Sequence, residues 1–161
     1  MLKIAVVDDE KVYIDQIQEY IRQYSAEKKR EIQTETFCDG SALLENYSPR
    51  FDIILLDIEM GKLNGMETAR EIRKKDQDVV LVFITNMAQY AINGYDVGAL
   101  DYVLKPINYY TFSVRLDRAV SRVKKRQPEE ILLNLPDGIK RLKVDRIHYV
   151  EVQNRMLHYH T

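Results

Sequence analysis

The sequence predicts an α/β protein: a doubly wound, five-stranded parallel sheet with helices on both faces, followed by a short β-rich C-terminal segment. Three observations predict it. Short apolar runs alternate with stretches of helical periodicity as far as residue 126. The run Ile53-Ile54-Leu55-Leu56 is apolar at every position, as in a strand buried on both faces inside a parallel sheet. After Pro128 the helical pattern stops, and four short strand candidates follow with no helix between them.

Lys3–Val7 reads as a buried strand closed by Asp8-Asp9-Glu10. Val12, Ile14, Ile17, Tyr20, Ile21 and Tyr24 recur at helical spacing, so a helix is expected over Lys11–Ala26. Lys28-Lys29-Arg30 ends it with positive charge at the negative end of the helix dipole. Ile32–Phe37 alternates with polar residues, as an edge strand does. Asp39-Gly40-Ser41 is a turn and cap before a short helix at Ala42–Asn46, which Pro49 keeps from continuing. The strand Ile53–Asp57, a Gly61–Gly65 loop and a Met66–Lys75 helix come next. Val79–Ile84 is a second doubly buried strand, ending at Thr85-Asn86. A short helix is expected at Ala88–Asn93, closed by Gly94, then a fifth strand at Ala99–Leu104 before Lys105-Pro106. The last helix, Asn108–Arg126, puts Phe112, Leu116, Ala119, Val120 and Val123 on one side and ends in Lys124-Lys125-Arg126 before Pro128. The rear strands are Ile131–Leu135, Ile139–Lys143, Ile147–Val152 and Met156–His160; the first two flank a Pro136-Asp137-Gly138 turn. The expected organisation is a domain over 1–126, a linker over 127–130 and a second unit over 131–161.

With 161 residues, 45% of them apolar, the chain suffices for one ordinary domain plus some excess. A single cysteine, Cys38, excludes an internal disulfide framework and a cysteine-only metal site, and is expected to pack as a small residue near a strand end. The N-terminal apolar run is too short for a signal peptide, and no run approaches a membrane span. A cytoplasmic protein with no membrane partner is expected. The near-neutral net charge of −1 conceals an asymmetry: from Arg115 onward there are eleven Lys and Arg against six Asp and Glu. An acidic front and a basic rear suit two jobs, the rear facing a polyanion.

The residues that close the strands carry the chemistry: Asp8 and Asp9, Asp57, Thr85 and Lys105. In an open α/β sheet ligands bind just beyond the carboxyl ends of the strands, so an acid at Asp57 is expected to be displayed there rather than buried. Converging carboxylates repel unless a cation sits among them, and a hard, oxygen-lined cluster suits Mg²⁺. With charge neutralised by the metal, Asp57 serves as nucleophile towards a phosphoryl group and gives an acyl phosphate. Lys105 balances the phosphoryl oxygens and Thr85 donates a hydrogen bond to one. The added charge then drives a switch, in which Thr85 moves towards the phosphoryl group and the Tyr102 ring swings into the space behind it. A cis Lys105-Pro106 bond would aim Lys105 back at the site. Taken singly, Asp8-Asp9 also suit a helix start, Asp57 a loop acid, Thr85 a cap, Lys105 a solvated charge and Tyr102 a packing residue. Their succession at strand ends one, three, four and five makes coincidence improbable.

These motifs resemble the receiver domain of two-component response regulators, the CheY-like variant of the flavodoxin fold. The matching stretches are Val7-Asp8-Asp9-Glu10, Leu55-Leu56-Asp57-Ile58-Glu59-Met60, Phe83-Ile84-Thr85 and Asp101-Tyr102-Val103-Leu104-Lys105-Pro106, within a likeness over residues 1 to about 126. The resemblance implies a sensor histidine kinase as phosphodonor, Asp57 as the aspartyl-phosphate acceptor, and Thr85 and Tyr102 as the switch pair. It implies Mg²⁺ held directly by Asp9 and Asp57, by Asp8 largely through water, and by the main-chain carbonyl of Glu59. Two departures stand out: Asn86-Met87 where many members have a small residue after the Thr, and Met60-Gly61 where many have Met-Pro. Met87 and the Glu59 side chain are expected to flank the attacking water. Receivers often pair through the face of the fourth helix, fifth strand and fifth helix, here 88–93, 99–104 and 108–126, which implies a homodimer.

The rear, with Asp137-Gly138-Ile139, Ile147-His148-Tyr149-Val150-Glu151 and His158-Tyr159-His160-Thr161, resembles the opening third of a LytTR-type DNA-binding domain. That resemblance implies a transcription regulator that binds DNA only in an intact parent protein, the domain being truncated here. Lys140, Arg141, Lys143, Arg146 and Arg155 would touch phosphate there, although a solvated strand face explains them equally well. His158 and His160 share one strand face and read as surface residues rather than a metal site. Two other functions suit the front domain. One is a Mg²⁺-dependent phosphohydrolase of the haloacid-dehalogenase class using Asp57 as nucleophile, against which stands the Glu at position 59. The other is a phosphate-independent interaction module. The expectation is a switch rather than an enzyme.

Overall fold

Five parallel strands form one sheet in the order β2-β1-β3-β4-β5 in a computed structural model that describes residues 1–91, 96–126, 130–153 and 156–160. In chain order the elements are β1 (Leu2–Val7), α1 (Lys11–Lys28), β2 (Ile32–Phe37), α2 (Gly40–Leu44), β3 (Ile53–Leu56), α3 (Gly65–Lys75), β4 (Val80–Thr85), a 3₁₀ turn (Ala88–Ala91), β5 (Asp101–Leu104) and α4 (Tyr109–Arg126). The doubly wound α/β expectation holds.

Side chains alternate across the sheet, so each strand feeds two cores. On one face Ile4, Val6, Ile53, Leu55, Val82 and Ile84 meet Ile17, Ile21 and Tyr24 of α1 and Phe112, Leu116 and Ala119 of α4. On the other, Ala5, Val7, Ile54, Leu56, Leu81 and Phe83 meet Leu43 of α2 and Met66, Ala69 and Ile72 of α3. This is why Ile53–Leu56 is apolar throughout: all four residues are buried, two towards each core. β2 lies at the sheet edge and is only partly buried, as its alternation predicts.

Local chemistry sets the helix boundaries. α1 ends where Lys29 turns into the left-handed region (φ 48°) and the Arg30 N–H closes on the Ser25 carbonyl at 3.0 Å. α3 starts one residue before the expected Met66. Asn64 accepts from the Glu67 N–H at 2.9 Å while Glu67 accepts from the Asn64 N–H at 3.0 Å, a reciprocal capping box. Gly65, expected in a loop, is therefore the first residue of α3. The short helix expected at Ala88–Asn93 is a 3₁₀ turn over Ala88–Ala91; positions 92–94 lie outside the described residues. β5 starts two residues later than expected, after Gly98 with φ 62°. The Lys105–Pro106 peptide is cis. Cys38, expected to pack, is exposed just beyond β2.

The chain divides into two units, Met1–Val123 and Lys124–Thr161. The second contains two antiparallel hairpins. β6 (Glu130–Leu135) pairs with β7 (Gly138–Lys143) across the expected Pro136-Asp137 turn, and β8 (Tyr149–Gln153) pairs with β9 (Met156–His160). Gly138 has φ 135°, a conformation open to glycine alone. Val144–Arg146 forms a 3₁₀ turn, and β8 starts at Tyr149, two residues later than the expected Ile147. His160 meets Glu151 at 3.0 Å and stacks on Tyr149 with ring centroids 4.2 Å apart. Linker residues 127–129 and Arg155 lie outside the described residues. Among the described residues no helix is long and apolar enough to cross a membrane.

Candidate functional site

The strand register brings the four strand ends together. Val7 pairs with Leu56, Leu56 with Phe83, and Thr85 with Leu104, so the residues that follow each strand share one edge of the sheet. The ladder continues into the loops: the Asp57 N–H donates to the Val7 carbonyl at 2.9 Å and the Lys105 N–H to the Thr85 carbonyl at 3.0 Å. Asp8, Asp57, Thr85 and Lys105 thus converge, and all four are buried.

Lys105 is the centre of the cluster. Its side chain is wholly buried, and Nζ lies 2.9 Å from Asp8 Oδ2, 3.2 Å from Asp57 Oδ2 and 3.8 Å from Glu10 Oε1. Burial alone would push its ammonium down. The hydrogen bond to Asp8 and the charges of Asp57 and Asp8 outweigh burial and hold it above the ordinary lysine value. Asp57 moves the same way for a different reason. Burial pushes its carboxyl up and the Asp8 charge adds to the push, while Lys105 and a hydrogen bond from Thr85 pull partly back.

The expectation that Asp57 is displayed is corrected: its side chain is 3% exposed. The Lys105 ammonium lies against one carboxylate oxygen, and the Glu59 N–H reaches the other at 3.3 Å. Behind it the start of α3 presses on the backbone, where a Cβ on Gly65 would lie 2.1 Å from the Asp57 carbonyl oxygen. Asp9 and the Glu59 side chain are exposed.

The carboxylate oxygens of Asp8, Asp9 and Glu10 lie within 4.8 Å of one another, the one group of three metal-ligating side chains among the described residues. Such hard oxygen donors fit Mg²⁺. Glu10 is a member that the strand-end pattern does not single out, although it stands next to Asp9. Glu10 itself donates its N–H to Asp8 Oδ1 at 2.9 Å. Nor does that pattern single out Tyr13, whose ring centroid lies 3.8 Å from Lys105 Nζ.

Thr85 and Tyr102 are joined through one residue. The Met87 N–H donates to Thr85 Oγ1 at 3.3 Å, and the Tyr102 hydroxyl donates to the Met87 carbonyl at 3.1 Å. The Tyr102 ring packs against Phe83 with centroids 5.7 Å apart.

Residues 4–117 match the family model described as the response regulator receiver domain. The chain belongs to that family. This receiver is 35% identical over 133 residues to the sensory transduction protein LytT of Bacillus cereus, a match covering 81% of this chain and 50% of LytT. It is 26% identical over 147 residues to the transcriptional regulatory protein BtsR of Escherichia coli K12, covering 89% of this chain and 56% of BtsR. Its fold is similar to the crystal structure of the response regulator TrrA from Thermotoga maritima in complex with Mg²⁺-BeF. The TM-score is 0.64 and the identity 28%, covering 74% of this chain and 99% of that one. The chain spans about half the length of the curated relatives it matches. A receiver of the two-component class, related to transcriptional regulators, is what the strand-end motifs imply.

Proposed function

We propose that this receiver accepts a phosphoryl group on Asp57 from a sensor histidine kinase and passes the event to a DNA-binding output in a longer, cytoplasmic protein. The observation that carries the reading is the position of the Lys105 ammonium, bonded at once to Asp8 and Asp57, with the Thr85 hydroxyl on the same Asp57 carboxylate. One Asp57 oxygen forms the bond to phosphorus while the bond from phosphorus to the donor's imidazole nitrogen breaks, and the electron pair leaves with the imidazole. Lys105 trades a carboxylate partner for a phosphoryl oxygen, which uncovers Asp57 as the donor enters. Asp8, Asp9 and Asp57 with the main-chain carbonyl of Glu59 would hold Mg²⁺, with Glu10 alongside. When bound, Mg²⁺ supplies neutralising charge to the phosphoryl oxygens.

The switch reading rests on the Thr85–Met87–Tyr102 bonds. Thr85 moving towards a phosphoryl oxygen gives up the Met87 N–H, and Met87 in turn carries the partner of the Tyr102 hydroxyl. The change is thereby delivered to the β5–α4 face. That face exposes Leu104, Tyr110 and Val114, apolar groups that suit the expected pairing with a second copy. LytT and BtsR, of which this chain matches about half, support the reading of a receiver that works with an output domain, with DNA as partner of the intact protein.

Incubation with acetyl phosphate and Mg²⁺, followed by site mapping, tests the assignment. One phosphate per chain at Asp57 is expected, with none after Asp57→Ala. Rapid turnover without accumulation would favour the phosphohydrolase. Unchanged partner binding after Asp57→Asn would favour the phosphate-independent module. Lys105→Ala is expected to retain Mg²⁺ binding and to lose the conformational response.

A further inference from the structure

Helix α1 touches the Lys105-Pro106-Ile107 turn at two points. At its first turn, the face of Tyr13 lies against the Lys105 ammonium, with 3.8 Å from Nζ to the ring centroid. Seven residues on, the Tyr20 hydroxyl donates to the Ile107 carbonyl at 3.1 Å, and its ring packs on Phe112 at 5.6 Å. Positions 13 and 20 share a helix face, with buried Ile17 between them, because residues three and four apart line up along a helix. Side chains on a helix lean towards its N-terminus, and the N-terminus of α1 is the end that meets the strand ends. Tyr13 is thereby aimed at the reactive cluster.

The ammonium therefore has two kinds of neighbour. Asp8 and Asp57 hold it by charge, with the Glu10 carboxylate farther off at 3.8 Å, on bonds that the proposed phosphorylation must rearrange. Tyr13 holds it by the negative face of an uncharged ring, on a contact that needs no rearrangement. A lysine head is compact, strongly hydrated and carried on a flexible stem, so an ammonium released by Asp8 has every reason to swing towards water. The ring removes that option without competing for the charge.

We infer that Tyr13 is a positioning residue for phosphoryl transfer, its ring face retaining the Lys105 ammonium at the site while that ammonium passes from carboxylate to phosphoryl oxygen. The inference rests on the phosphoacceptor reading of Asp57 and adds to it the aromatic face and the helix that supplies it.

The test uses the full 161-residue chain with acetyl phosphate and Mg²⁺, comparing wild type, Tyr13→Phe, Tyr13→Leu and Tyr13→Met. Phe keeps the ring face and loses only the hydroxyl; Leu and Met fill space without a ring. The expected result is labelling at close to the wild-type rate for Phe and about tenfold slower labelling for Leu and Met, the scale of one desolvated cation–π contact. Mg²⁺ affinity measured by calorimetry is expected to stay unchanged in all four. The Lys105 side-chain proton resonances are expected upfield, under the ring, in wild type and Phe, and shifted back in Leu and Met. Wild-type labelling by Leu or Met would overturn the inference, as would a Phe variant as slow as Leu or ring-independent Lys105 resonances. Should one aliphatic variant fail to fold, the other with Phe still decides. Failure of the wild type itself to take label on Asp57 would instead sink the phosphoacceptor reading, while the resonance shift would still report the contact.

Discussion

Lys105 is the residue on which the rest of the site depends, because it is the positive charge between two buried carboxylates. Removing one partner of a buried charge group leaves the others uncompensated, which is far more costly than losing an exposed pair. Lys105→Met is therefore expected to lower stability by on the order of 3 kcal/mol in the absence of divalent cations. Adding Mg²⁺ is expected to recover much of the loss, since a ligand bound only by the folded state stabilises it. Urea titrations with and without Mg²⁺ measure both. Gly65 is a second sensitive position: a methyl group there would meet the Asp57 carbonyl oxygen at 2.1 Å and the Ile58 Cα at 2.8 Å. Because both obstacles are backbone, Gly65→Ala is expected to cost roughly 1–3 kcal/mol, as overpacking does, and to slow phosphorylation by displacing Asp57. Asp8, Asp9, Asp57, Thr85 and Lys105 were legible because each follows an apolar run, and parallel strands put such residues on one edge. The burial of Asp57 was not legible. It depends on where the long Lys105 side chain lies and on how α3 packs, and neither follows from strand order. Tyr13 is not legible in the sequence because one more aromatic in an amphipathic helix looks like packing until Lys105, just after β5, is placed beside it.

At the level of elements, the contact of α1 with α4 and the turn before it combines burial with three tyrosine hydroxyls. Tyr20 donates to the Ile107 carbonyl, Tyr24 to Asp117 and Tyr109 to Glu27. Burial and the Asp117 hydrogen bond push the Tyr24 phenol well above the ordinary tyrosine value. Burial and Glu27 push Tyr109 up to about 12. The hydrogen bond from Tyr24, followed by Lys28, holds the Asp117 carboxyl below the usual aspartate value. The folded value of Asp117 thus lies under the unfolded one. Its contribution is present above pH about 4 and is lost as the pH falls below that. Asp117→Asn is expected to be less stable than wild type at neutral pH, with the gap narrowing below pH about 4; thermal melts across that range check it. A gap that widened on acidification would contradict the sign. The effect is small because Asp117 is half exposed and solvent screens the pair. The periodicity of α1 and α4 was plain in the sequence, whereas the pairing of their polar groups was not, since it joins positions 93 residues apart. The capping box of α3 is written in Asn64-Gly65-Met66-Glu67, but the two glycines give 61–65 the composition of a loop.

For the whole molecule, the division into Met1–Val123 and Lys124–Thr161 separates a layered core from a unit with two two-stranded hairpins. The hairpins leave Leu132, Ile139, Tyr149, Val152, Met156 and Leu157 exposed. Two-stranded pairs of this kind are marginal in water without further packing. Native-state hydrogen exchange is expected to find amides of β6–β9 far less protected than those of β1, β3 and β4. Equal protection would mean that the hairpins share the receiver's cooperative unit. The change from alternating α/β to consecutive strands after Pro128 was legible because the helical repeat ends there and Pro136-Asp137-Gly138 marks a hairpin turn between two short strand candidates. A single phosphoacceptor site formed by residues 8, 9, 57, 85 and 105 is put to the proof by mass-spectrometric mapping after incubation with acetyl phosphate and Mg²⁺. Such a site predicts one phosphoryl group per chain on Asp57, absent in Asp57→Asn and without Mg²⁺. Phosphate mapped to another residue, or label retained in Asp57→Asn, would contradict it.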